Sequence, residues 1–157
     1  MTIEIVSGDL IKAYISGEVD SIAHCVNCAG VMGSGIAKQI KSELPLVYTS
    51  YRKRWLQEMD KKILLGTAQK VTENYLDRDR AVFNLYAQLA YGTEKRHVNY
   101  GAIGLCLQNM SQQIHERDTV VGFPYKMCSD RAGGDWNIVL EMIEFYFKDH
   151  NVKIYKL

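Results

Sequence analysis

Short apolar runs of strand length alternate with longer stretches of helical spacing along this chain. Ile3 to Val6 reads as a first strand, followed by the turn Ser7-Gly8-Asp9. Ser21 to Val26 is a second apolar run, and Ile36 to Leu44 carries a helical pattern expected to end at Pro45. Val47 to Met59 reads as another helix, and Thr67 to Val71 and Ala81 to Ala87 as strands. Between Tyr100 and His115 the stripe Ile103, Leu107, Met110 and Ile114 predicts a helix. Thr119 to Phe123 is a short buried strand leading into a loop, Pro124 to Gly134. A helix is then expected from Asp135 or Trp136 to Phe147, and Val152 to Leu157 closes the chain as a strand. This alternation predicts one α/β domain with helices on both faces of a mostly parallel sheet, the last strand being open to mixed pairing.

The stretch from His24 to Ala37 carries the strongest chemical signal. An apolar strand stops at Asn27 and gives way to a loop holding Gly30, Gly33 and Gly35, after which the helical pattern begins at Ile36. A strand, a glycine loop and a helix N-terminus together offer backbone N–H groups to an anion, usually phosphate. Asn27 falls at a strand end, where ligands bind in open α/β sheets. The expected ligand is a small molecule bearing phosphate.

Length and composition narrow the setting. At 157 residues with a formal net charge of +1, the chain has the balance of one ordinary globular domain. No apolar run approaches the ~20 residues of a membrane span, and no signal-peptide pattern is expected at the N-terminus. The four cysteines, Cys25, Cys28, Cys106 and Cys128, do not form a secreted framework and read as buried or loop thiols in a reducing cytoplasm. The basic clusters Tyr51-Arg-Lys-Arg54 and Lys95-Arg96-His97 are short and read as solvated surface, so nonspecific nucleic-acid binding is not expected to be the main role.

No Ser-His-Asp arrangement and no metal motif is visible, and neither a metal nor a cofactor is expected. Three side chains are candidates for proton transfer: His24, Asp135 and, in the loop before Gly133, Asp130. His24 lies on the strand feeding the glycine loop and is either a general acid or base or a buried histidine that holds a loop. Asp135 follows Gly133-Gly134 and is either a general base, a nucleophile, or a helix N-cap. Asp9 is a turn residue that would cap a following helix, and Asn27 by itself fits an Asx-turn, its amide able both to donate and to accept.

Several segments taken in order resemble a macrodomain. They are Gly8-Asp9-Leu10, His24-Cys-Val-Asn-Cys28, Met32-Gly-Ser-Gly-Ile-Ala-Lys-Gln-Ile40, Asn84-Leu-Tyr-Ala-Gln88, Phe123-Pro124 with Gly133-Gly-Asp-Trp136, and Lys153-Ile-Tyr-Lys-Leu157. The likeness is nearest to the branch of ADP-ribose-1''-phosphate phosphatases and small ADP-ribosyl-ester hydrolases. It implies a three-layer α/β/α fold with a mixed, mostly parallel central sheet. It also implies binding of ADP-ribose derivatives and hydrolysis at the distal ribose, with ADP-ribose 1''-phosphate as the leading substrate. The alternatives are an ester hydrolase acting on ADP-ribosylated protein or nucleic acid, and a module that binds without turnover.

On this resemblance Asp9, with Leu10 beside it, would read the adenine, and Asn27 would position the distal ribose. Gly33, Ser34, Gly35 and Ile36 would pass between diphosphate and ribose, with Ser129, Asp130, Gly133 and Gly134 in a second loop around the phosphates. His24 or Asp135 would handle the proton. The second loop departs from the family pattern, because Met127-Cys-Ser-Asp130 stands where small residues are usual. Gln88 occupies the strand end where one branch carries a nucleophilic lysine, so a lysine adduct is not expected.

Overall fold

The computed structural model describes residues 3–33, 35–72, 80–90, 97–115, 118–129 and 132–157. Among them the chain runs β1 (Ile3–Ser7), α1 (Leu10–Ser16), β2 (Ser21–Asn27), α2 (Gly35–Glu43) and α3 (Pro45–Gln57). A 3-10 turn at Lys61–Leu64 leads to β3 (Ala68–Val71), β4 (Ala81–Gln88), α4 (Tyr100–Gln112), β5 (Val120–Pro124), α5 (Trp136–Tyr146) and β6 (Asn151–Lys156). The strands form one mixed sheet in the order β1-β6-β5-β2-β4-β3. Every neighbouring pair is parallel except β3 with β4.

Side-chain alternation along the strands builds two apolar layers. On one face Ala23, Phe83 and Phe123 pack beneath α4 and α5 through Ile103, Leu107, Val139 and Ile143. On the other, Ile22 and Val82 meet α1 and α2, while Val26 and Tyr86 meet α3 at Tyr51. The result is the three-layer α/β/α sandwich expected from the sequence. The strand at odds with the rest is β3, whereas β6 pairs in parallel on both sides.

Two helix boundaries differ from the sequence pattern for physical reasons. Pro45 does not merely stop α2, which ends at Glu43; it opens α3, where a missing N–H costs nothing. Helix α1 is too short for a periodicity signal, yet it is fixed at both ends. Asp9 caps its first turn, and Gly17 closes it in the left-handed conformation at φ 86°. No helix among the described residues is long and apolar enough to cross a membrane.

Candidate functional site

The C-terminal ends of the parallel strands open onto a cleft of about 1040 Å³. Its walls come from the turn after β1, the glycine loop after β2, the loop after β5 and the end of β6. This is where an open α/β sheet leaves backbone groups unpaired by its own ladders.

Asp9 sits on this wall and is also the N-cap of α1. Its Oδ1 accepts from the backbone N–H groups of Ile11 at 2.9 Å and Lys12 at 3.0 Å, and its Oδ2 from Gln39 Nε2 at 3.2 Å. Burial works to raise its pKa, but these hydrogen bonds and the Lys12 charge outweigh it and leave the carboxyl below its usual range. Leu10, which follows it, lines the cleft as a buried side chain.

Asn27 is the organiser of the first loop. Its Oδ1 accepts from Ala29 N at 3.0 Å, Val31 N at 3.3 Å and the Tyr51 hydroxyl at 2.8 Å, while its Nδ2 donates to Val31 O at 2.9 Å. The Tyr51 hydroxyl also lies 2.7 Å from the Asn27 carbonyl. The Asx-turn reading of Asn27 is therefore realised, and the side chain still lines the cleft. A register shift between Val26 and Asn27 pairs Asn27 with Gln88 instead of Ala87. Both amides thus stand on the cleft floor, with Gln88 Nε2 donating to Ala90 O at 2.7 Å. Tyr51 was not among the residues the sequence marked. Burial pushes its phenol above the ordinary range, so it remains a donor at all working pH values.

Helix α3 braces the same loop from behind. Arg52 Nη1 donates to Gly30 O at 3.0 Å, and Trp55 Nε1 donates to Cys28 O at 2.8 Å. Gly30 adopts φ 79°, and a Cβ there would lie 2.6 Å from Arg52 Nη1, so this glycine serves close packing against α3. Gly33, Gly35 and Ile36 face the cleft, and the N-terminus of α2 opens into it with no acidic residue in the first turn. A helix start of this kind presents free N–H groups and a positive dipole end. Ser34 lies outside the described residues.

The second loop holds its shape without the expected glycines. Lys126 and Cys128 both take left-handed backbone angles, at φ 60° and 62°. Cys25 and Cys128 form a disulfide across a sequence separation of 103, which corrects the reading of all four cysteines as thiols. The sheet order explains it: β5 lies beside β2, so the loop leaving β5 falls over the end of β2. Cys28 and Cys106 remain buried free thiols.

Ser129 lines the cleft, and its hydroxyl donates to Met127 O at 3.1 Å. Gly134 has a different task from the expected one. Its N–H donates to Cys128 O at 3.1 Å, and a Cβ would come within 2.5 Å of that oxygen, so Gly134 closes the loop on itself. Gly133 takes φ 78°, turning the chain toward α5, and neither glycine lines the cleft. Asp130 lies outside the described residues. Lys126 and Lys156 stand over the Tyr125 ring, 5.7 and 4.9 Å from its centroid, and all three line the cleft. Tyr125 carried no signal in the sequence beyond its place in a loop, and Lys156 only its place in the closing segment Lys153 to Leu157.

Two of the three proton-transfer candidates are not brought to the cleft. His24 is fully buried among the strands, bonded through Nε2 to Asn84 Oδ1 at 2.6 Å, and burial holds its pKa down to about 4. Asp135 caps α5, its Oδ1 accepting from Asn137 N at 2.9 Å, while its own N–H donates to the Tyr100 hydroxyl at 2.9 Å. Asp135 takes the helix-cap role that the sequence had left open, and His24 is buried as that alternative had it but is bonded to the neighbouring strand and not to a loop. Among the described residues, no group of three or more His, Cys, Asp or Glu side chains is placed to hold a metal ion.

The fold agrees with known proteins over nearly the whole chain. The macrodomain of Mycobacterium tuberculosis DarG superposes with a TM-score of 0.80 at 26% identity, covering 99% of this chain and 98% of that one. A macrodomain protein from Streptomyces coelicolor matches with a TM-score of 0.76 at 25% identity, covering 99% of each chain. In sequence, the DNA ADP-ribosyl glycohydrolase of M. tuberculosis is 33% identical over 78 residues, half of this chain. That match spans only 20% of the relative's length. No family model matches the sequence. The chain has the macrodomain fold.

Proposed function

We propose that the cleft takes an ADP-ribose group and that the protein releases this group from DNA by hydrolysis at the distal ribose. The observation that carries the reading is the single cleft into which two anion-attracting elements open. The N-terminus of α2, reached through Gly33 and Gly35, and the pair Lys126 and Lys156 all border it. A diphosphate between them would meet oriented N–H groups and two cations, with Asp9 left for the nucleobase. The relative's activity as a DNA ADP-ribosyl glycohydrolase supports the choice of DNA. In the reaction, water adds to the anomeric carbon, the bond from that carbon to the base breaks, and the base takes the proton.

Asn27 and Gln88 would position the ribose and the water. Among the described residues Asp9 is the only carboxylate on the cleft wall, and no imidazole lines it. Of the acids singled out in the sequence, Asp130, next to Ser129, is therefore the one we assign to the proton. The displacement of His24 and Asp135 from the cleft also favours a second reading, binding without turnover.

The test is calorimetric titration with ADP-ribose, followed by product analysis on an ADP-ribosylated oligonucleotide and on ADP-ribose 1''-phosphate, in which phosphate is the leaving group. Binding with release of free ADP-ribose from the oligonucleotide supports the glycohydrolase. Release of phosphate alone moves the assignment to the phosphatase, and binding without either product moves it to a sequestering module. Absence of ADP-ribose binding overturns the proposal.

A further inference from the structure

The charge of this chain is nearly balanced overall but unevenly placed. Residues 38–62 carry seven basic and three acidic side chains, in a chain whose net charge is +1. Two of the three acids are engaged locally: Asp60 caps the 3-10 turn by accepting from Lys62 N, and Glu58 accepts from Asp60 N.

The cations in this segment are arranged in a row on aromatic rings. Tyr48, Arg52 and Trp55 recur at helical spacing along one face of α3, spanning about 10 Å. The Lys41 ammonium stands 4.4 Å from the Tyr48 ring centroid, the Arg52 guanidinium 4.7 Å from that of Trp55, and the Lys61 ammonium 4.2 Å from the same ring. Lys61 Nζ also donates to the carbonyls of Trp55 and Glu58, which fixes that end of the row. Lys38, Lys41, Lys53 and Lys62 are exposed.

This row is attached to the cleft. Arg52 and Trp55 are the two side chains that grip the backbone of the first loop at Gly30 and Cys28, and the same loop continues through Val31 and Gly33 into the cleft wall.

We infer that the face formed by Lys41, Tyr48, Arg52, Trp55 and Lys61 is the docking surface for the nucleic-acid strand that carries the ADP-ribose. The inference rests on the functional reading above, since it names where the macromolecule lies while its modification occupies the cleft. A single strand supplies both chemistries the row can use: phosphates for the cations, and bases whose faces stack on the Arg52 guanidinium plane. An acidic peptide would use only the first.

The test is fluorescence anisotropy of a labelled, unmodified oligothymidylate over a range of salt concentrations. The wild type is compared with Lys41→Glu, an exposed position of the row outside the cleft. The expected result is salt-dependent binding that falls at least tenfold in the variant. The log-log salt slope should drop by about 0.7 for one lost phosphate contact. Affinity for free ADP-ribose should stay unchanged in the same variant. No oligonucleotide binding, equal binding by the variant, or equally good competition by polyglutamate overturns the docking surface. Loss of ADP-ribose binding in the wild type would instead sink the functional reading, so the two failures are separable.

Discussion

Acidification should weaken this fold through His24, by an amount that follows from its position. Asn84 Nδ2 is committed to Gln69 Oε1 at 3.0 Å, so Asn84 Oδ1 must accept, and the His24 proton resides on Nε2. His24 Nδ1 is then a buried acceptor with no partner, and protonating it would create a buried charge with nothing to receive its N–H. Burial accordingly lowers the pKa from 6.5 to about 4, although the bond to Asn84 pulls the other way. Between those values the unfolded chain binds more protons than the folded one. Stability is therefore lost as pH falls through the window, fully present above 6.5 and fully lost below about 4. At 1.36 kcal/mol per pKa unit the whole loss is about 3 kcal/mol. The comparison is with His24→Gln, which keeps a donor for Asn84 and does not titrate. Urea unfolding from neutral pH down to about 4 should show the wild type losing about 3 kcal/mol more than the variant. Equal losses, or an NMR titration of His24 centred near 6.5, would refute the burial argument and restore His24 as a proton carrier.

Other consequences are equally specific. Tyr51→Phe removes a donor shared by the Asn27 carbonyl and Oδ1, and should cost about 1 to 2 kcal/mol in urea unfolding while weakening ADP-ribose binding in calorimetry. Gly134→Ala drives a Cβ to within 2.5 Å of Cys128 O, so a loss of about 1 to 3 kcal/mol and a looser second loop are expected by thermal melting and limited proteolysis. Asp9→Ala should cost about 1 kcal/mol through the lost cap. The lowered pKa of Asp9 means its contribution is present above 3.8 and fades on further acidification, which the pH dependence of the variant's unfolding would show. Asp135→Asn keeps an N-cap and should leave turnover unchanged, whereas Asp130→Asn should abolish it; the reverse pattern in single-turnover assays would return the base to α5.

Much of the fold was legible because strand and helix periods differ and each apolar stripe in this chain faces a core. Ser21–Asn27, Ala81–Gln88 and the stripe of α4 all lie where the pattern placed them. The glycine loop was legible too, since few residue types permit such a turn before a helix. Helix α1 escaped because seven residues give too few turns for a periodicity, and the antiparallel pairing of β3 escaped because strand direction is set by neighbours.

The amino-acid sequence by itself determined the layers, the position of the cleft at the strand ends, and the set of residue types able to serve it. Local chemistry was enough for these, because caps, turns and apolar periods act over a few residues. Tertiary structure alone decided how those residues were used. It sent His24 into the sheet, and it enlisted Tyr51 from a distant helix to hold Asn27. It joined Cys25 to Cys128 and gathered a balanced chain's cations on one face of α3. The burial of His24, the bond from Tyr51 and the disulfide depend on contacts between segments far apart in the chain, and no local pattern encodes which partner a side chain will meet.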